Sequence, residues 1–100
     1  YYDSETTIAG KVNVSSKTFT VTVQGPSSVT KVKMEATLYQ KKLIGREEIS
    51  TMSASSNSAR CSKSQSAAIE KGKTYVIEVT AQVYSGGAWD TIEETITVKT

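Results

Sequence analysis

The chain has no histidine, one proline, one cysteine and one tryptophan in 100 residues. Each shortage removes a class of chemistry. Without histidine there is no Ser-His-Asp or Cys-His arrangement and no imidazole to ligate zinc. Cys61 has no second cysteine to pair with, so no disulfide closes within the chain. A thiol with no imidazole base available is a poor catalytic nucleophile, and Cys61 reads as a small buried hydrophobe. No apolar run approaches the roughly 18 residues that cross a bilayer, so no transmembrane segment is expected. The net charge is only +2, from 12 basic and 10 acidic side chains, which gives no support for nucleic acid or an anionic membrane as a partner. The patterns GxxxxGK[ST] and GxGxxG are both missing, so neither "GREEIS" nor "YSGGAW" is a phosphate cradle.

What the chain does have is hydroxyl groups. Serine and threonine make up 28 residues. Thr and Val alternate through the apolar segments, which suits pleated strands better than helices. No ten-residue stretch carries apolar positions at i, i+3, i+4 and i+7. Hydrophobic content of 37% with 22% charge is ordinary for one globular domain spanning 1–100. The expectation is an all-β domain.

Parity sets the strands. In "TTIAGKVNV" and "KTFTVTV", a turn at Ser15-Ser16 opposes Val12 to Phe19, Gly10 to Val21 and Ile8 to Val23. Apolar residues then share one face, while Lys11, Asn13, Thr18, Thr20 and Thr22 share the other. Ser-Ser is a weak two-residue turn, which leaves room for a longer loop. Gly25-Pro26-Ser27-Ser28 breaks the pattern, and "VTKVKMEATLYQ" resumes it with Val32, Met34, Ala36 and Leu38 inward. The serine-rich middle predicts two ragged edge strands, or one edge strand and a long loop. A turn at Ser56-Asn57 there opposes Met52 to Cys61 and Ala54 to Ala59.

The last thirty residues carry the clearest signal. A two-residue turn at Gly86-Gly87 pairs Tyr75 with Val98, Ile77 with Ile96 and Ala81 with Ile92. The same register puts Glu94 opposite Val79 and Asp90 opposite Val83, on the inward side, where acids are costly. Either a bulge near Glu93-Glu94 turns them out, or they sit at an open end of the sheet. Tyr84 and Trp89 fall side by side on the outer face, so Tyr84, Gly86, Gly87 and Trp89 form a candidate binding tip. Aromatic cross-strand pairs also stabilise a hairpin by themselves, and that plainer reading is favoured.

About seven short strands with two half-buried faces predict an antiparallel β-sandwich with no disulfide. "EKGKTYVIEVTAQVY" resembles the E–F corner and F strand of immunoglobulin-like and fibronectin type III-like domains. The resemblance implies that Tyr75 fills a tyrosine corner, with Gly72 supplying the turn. Antibody-type domains carry a cysteine where this chain has Ile77, and Val21 is the counterpart on strand B, so the antibody-type branch does not apply. "LYQKKLIG" and "KGKTYVIEVTAQVYSGGAWDTI" are similar to secreted or surface domains of uncharacterised function in Gram-positive bacteria. The resemblance implies an immunoglobulin-like module that is secreted or at the cell surface, with its signal peptide already removed. It carries over no active site. Surface modules of that kind can form Lys–Asn isopeptide bonds through an asparagine late in the last strand. Here that strand ends "ITVKT", and the chain's asparagines are Asn13 and Asn57.

No catalytic, cofactor-binding or metal-ligating set is expected. Glu47-Glu48 and Glu93-Glu94 are adjacent in sequence, so on a strand each pair points to opposite faces and makes no acid/base dyad. Asn13-Val14-Ser15 fits a glycosylation sequon, but so short a motif arises often by chance. Three functions remain. The favoured one is a non-catalytic exported binding or structural module, whose partner could be a cell-surface protein or glycan. The others are a carbohydrate-binding module that uses Tyr84 and Trp89, and a small hydrolase inhibitor that presents "SGGAW". Flat exposed aromatics would mark the sugar binder, and loops converging at one end would mark the inhibitor.

Overall fold

A computed structural model describes residues 6–100. The alternation of Val, Ile and Phe with Thr, Ser and charged residues becomes seven strands. They are β1 (Thr7–Asn13), β2 (Thr18–Gln24), β3 (Val29–Lys41), β4 (Arg46–Ser56), β5 (Arg60–Ser66), β6 (Thr74–Ser85) and β7 (Ala88–Lys99). Among the described residues these strands make two antiparallel sheets, ordered β1-β2-β5 and β4-β3-β6-β7, with no helix. The inward faces of the two sheets meet in one core, giving an all-β sandwich. Phe19, Val21 and Val23 of β2 pack there with Val32, Met34, Ala36 and Leu38 of β3 and Tyr75, Ile77, Val79, Ala81 and Val83 of β6. Each fully buried aliphatic or aromatic side chain contributes about 1.5–3 kcal/mol relative to exposure.

Both outer hairpins form in the expected register. Val12 opposes Phe19, Gly10 opposes Val21 and Ile8 opposes Val23. The connection is a four-residue loop, 14–17, in which Lys17 has a φ of 54° and Asn13 Oδ1 accepts the Ser16 N–H at 3.1 Å. Gly10 keeps the core side of β1 thin: a Cβ there would meet Ile96 Cδ1 at 2.8 Å. In the last hairpin Tyr75 pairs with Val98, Ile77 with Ile96 and Ala81 with Ile92. Gly86 and Gly87 have φ values of 60° and 83°, the two positive angles that a type I′ turn requires.

No bulge interrupts β7, and Glu94 and Asp90 do stand opposite Val79 and Val83. β7 is an edge strand of a four-stranded sheet that faces a sheet with one strand fewer. Its inward side is therefore only partly covered: Ile92 and Ile96 are half-buried, and Glu94 is exposed. An inward-pointing charge on an edge strand opposes the addition of a further strand.

The predicted pairing of the middle is overturned. β4 pairs with β3, and β5 pairs with β2, in different sheets. Met52 and Cys61 are both buried, but one belongs to each sheet. Parity alone could not separate the two cases, because inward residues look alike whether they sit side by side in a hairpin or face each other across a core. Residues 57–59 carry the chain between sheets. Ser58 Oγ donates to the Arg60 carbonyl at 2.9 Å, and the Gly25 N–H donates to the Ala59 carbonyl at 2.8 Å. The open side between β4 and β5 is bridged by side chains instead of a ladder. Lys63 Nζ donates to the Ser53 carbonyl at 3.0 Å, and Gln65 Nε2 donates to the Thr51 carbonyl at 3.1 Å.

The abundant hydroxyls pair across the outward faces. Thr20 meets Ser64 at 2.7 Å and Thr22 meets Ser62 at 2.9 Å, cross-strand contacts of the kind that stabilise a sheet.

Candidate functional site

Strand register builds the outer face of the four-stranded sheet row by row. Lys31 lies beside Tyr84, and Tyr84 beside Trp89. In the next row Ser55, Lys33 and Gln82 stand abreast, and in the one after that Ser53, Glu35 and Thr80. The predicted tip residues Tyr84, Gly86, Gly87 and Trp89 are thus brought together at the end of this face.

The tip aromatics are not open plates. Their ring centroids are 5.0 Å apart and their planes are tilted by 54°. Lys31 Nζ lies 5.5 Å from the Tyr84 centroid, and Lys33 Nζ lies 4.8 Å from that of Trp89. A tilted aromatic pair contributes about 0.5–1.5 kcal/mol, and an exposed ammonium over a ring about 0.5–1 kcal/mol. Trp89 is 40% exposed, yet an ammonium group already lies over its ring. This is a hairpin end packed by its own neighbours.

Behind the tip the face sinks into a solvent-open trough of about 540 Å³. Lys33, Glu35, Ser53, Ser55, Thr80 and Gln82 line it. Serines on β4 and threonine on β6 leave room between the longer side chains of β3. The lining offers one cation, one carboxylate, three hydroxyls and one amide, a set that hydrogen-bonds polar ligands without activating them. Lys33 belongs to both features, since it lines the trough and covers Trp89. The alternation of β3 already marks Lys33 and Glu35 as outward. The serines were missed because their neighbour in the sheet is fixed only by the β3–β4 pairing.

Three short connections share the tip's end of the sandwich: residues 25–28, 57–59 and 86–87. At the opposite end Tyr75 is fully buried, and its hydroxyl accepts the Glu70 N–H at 2.7 Å. Near that end Arg46 packs 4.0 Å from the Tyr39 ring centroid and reaches Glu78 at 2.9 Å. Hydrogen bonding to Glu78 holds the guanidinium still more firmly in its charged form.

The remaining chemistry-bearing group is Cys61. It is buried and unpaired, and burial pushes its thiol above the ordinary range, against a smaller opposing pull from Lys63. A thiol held neutral this way is a poor nucleophile. Among the described residues no three His, Cys, Asp or Glu side chains gather to hold a metal ion. Comparison with family models, curated proteins and solved structures found no match.

Proposed function

We propose that the chain is a non-catalytic, exported immunoglobulin-like module that binds a polar ligand on the outer face of its four-stranded sheet. The trough is the observation that carries the binding role. Its mixed lining suits a hydroxyl-rich or zwitterionic ligand, and it lies on three neighbouring strands, β4, β3 and β6, held in one antiparallel ladder. The immunoglobulin-like assignment is supported by the strand order and by the Tyr75 hydroxyl bonded back to the Glu70 N–H, which has the form of a tyrosine corner. The exported address rests on the sequence resemblance. A sugar platform made of Tyr84 and Trp89 is disfavoured, because lysine ammonium groups already lie over both rings. An inhibitor loop is disfavoured too, because the connections at that end run only from two residues to four.

An amide-resolved NMR titration against peptidoglycan fragments and common polysaccharides tests the reading. Saturable shifts confined to Lys33, Ser53, Ser55, Thr80 and Gln82, and lost in Ser53→Trp, are expected. A flat response across the panel would favour a purely structural spacer. Turnover of any panel member would overturn the non-catalytic assignment.

A further inference from the structure

Among the described residues, the most exposed large apolar side chains are not aromatic. Leu43 and Ile44 are 102% and 91% exposed, in the connection between β3 and β4. The connection is tight: the Lys42 N–H donates to the Gly45 carbonyl at 3.1 Å, and Lys41 pairs with Arg46 below it. Two consecutive branched aliphatics therefore stand at a hairpin tip with no side chain of the described residues over them. A scattered exposed leucine needs no explanation, but an adjacent pair without cover does.

Charge surrounds the pair. Lys41, Lys42 and Arg46 flank it on the hairpin itself. Register brings in more, because Gln40 of β3 lies beside Tyr75 of β6 and Thr74 lies beside Lys99. Lys71, Lys73 and Lys99 therefore occupy the same end, all exposed. The acids nearby are Glu47, Glu48, Glu70 and Glu78. Two of them are engaged, Glu47 by Lys42 at 3.5 Å and Glu78 by Arg46 at 2.9 Å. No carboxylate among the described residues forms an ion pair with Lys41, Lys71, Lys73 or Lys99.

We infer that this end of the sandwich docks on an anionic lipid surface. Leu43 and Ile44 enter the interface, and the lysines behind them meet the headgroups. The shape favours lipid over a protein partner. A convex two-residue tip offers little of the flat, aromatic-rich area that a stable protein interface buries. A fluid bilayer closes around such a tip, and its anionic surface attracts each nearby cation within a Debye length. The inference is independent of the trough, which lies on the sheet face towards the other end.

Flotation of the full chain with phosphatidylcholine vesicles, with and without phosphatidylglycerol, tests it. Binding is expected only when phosphatidylglycerol is present, and it weakens as salt is raised. Leu43→Ser/Ile44→Ser should lower the partition by about tenfold or more, the scale expected for withdrawing an aliphatic side chain from the interface. Lys41→Glu/Lys42→Glu should lower it by a similar factor and flatten the salt dependence. In a Trp89→Phe background, Ile44→Trp should shift its emission to the blue on anionic vesicles. Failure to float with anionic vesicles at low salt would overturn the inference. So would equal flotation of the parent chain and the serine variant, which would reduce the effect to charge alone. A concentration-dependent dimer abolished by the serine variant would instead assign the tip to a second copy of the chain.

Discussion

Two hairpin tips close opposite ends of the same four-stranded sheet. The β6–β7 tip carries the tryptophan, a glycine pair and a tyrosine, all residue types associated with binding. The β3–β4 tip carries Leu43, Ile44 and Gly45. The first is self-satisfied: two rings 5.0 Å apart, with an ammonium group near each. The second is bare. Residue type therefore pointed to one end, while unsatisfied surface points to the other. What makes a surface available is whether its neighbours have already covered it.

The largest test of that contrast lies under the bare tip. Tyr75 ties the connection between β5 and β6 to the core at that end. Its hydroxyl accepts the Glu70 N–H at 2.7 Å from a fully buried position. Tyr75→Phe leaves that N–H without its acceptor, at a cost of about 1–2 kcal/mol. Urea denaturation should show it as a lower midpoint at unchanged slope. A change near zero would make Tyr75 an ordinary core aromatic.

The next test is at the covered tip. Trp89→Ala removes the ring pair and the Lys33 contact together, and should destabilise the fold by about 1 kcal/mol. If stability is unchanged, the aromatics do not support the hairpin, and their role as a ligand platform reopens.

A smaller effect belongs to Cys61, near the crossing between the sheets. Its folded pKa is raised, so the neutral thiol is the form the fold prefers. Stability from this group is complete below the ordinary thiol range, and it drains away as pH climbs through the raised value. In alkaline buffer the denaturation midpoint of the parent chain should fall faster than that of Cys61→Ala. Parallel curves would mean that the thiol ionises as easily folded as unfolded.

Much of the fold was legible where inward parity met a strong turn. Gly86-Gly87 fixed β6 against β7, and the apolar alternation of β1 and β2 survived a poor turn signal at Ser15-Ser16. The same parity misled in the middle, where Met52 and Cys61 are both inward but belong to facing sheets. Nothing local distinguishes a hairpin from a crossing, since the choice is made by which long-range partner each strand finds. The candidate site divides in the same way. Tyr84 beside Trp89 follows from one hairpin, whereas the trough needs three strands in register. The lysines over the rings were hidden too, because β3 and β6 are more than thirty residues apart in sequence.

The smallest expected effect completes the contrast between the tips. Leu43→Ser/Ile44→Ser removes two large aliphatic side chains, a change that would cost several kcal/mol in a core. Here both side chains are as exposed in the folded chain as in an extended one, so folding buries almost none of their surface. The turn's own hydrogen bond, from the Lys42 N–H to the Gly45 carbonyl, uses backbone alone and is kept. Stability should therefore stay within about 0.5 kcal/mol of the parent chain, as for surface substitutions generally. Thermal and urea unfolding of this variant beside Trp89→Ala make the comparison direct. A loss at the bare tip as large as that at the covered one would mean that Leu43 and Ile44 pack against something in the free protein. Equal stability would mean that the pair contributes nothing to the fold that carries it, and that its apolar surface is available to whatever docks there.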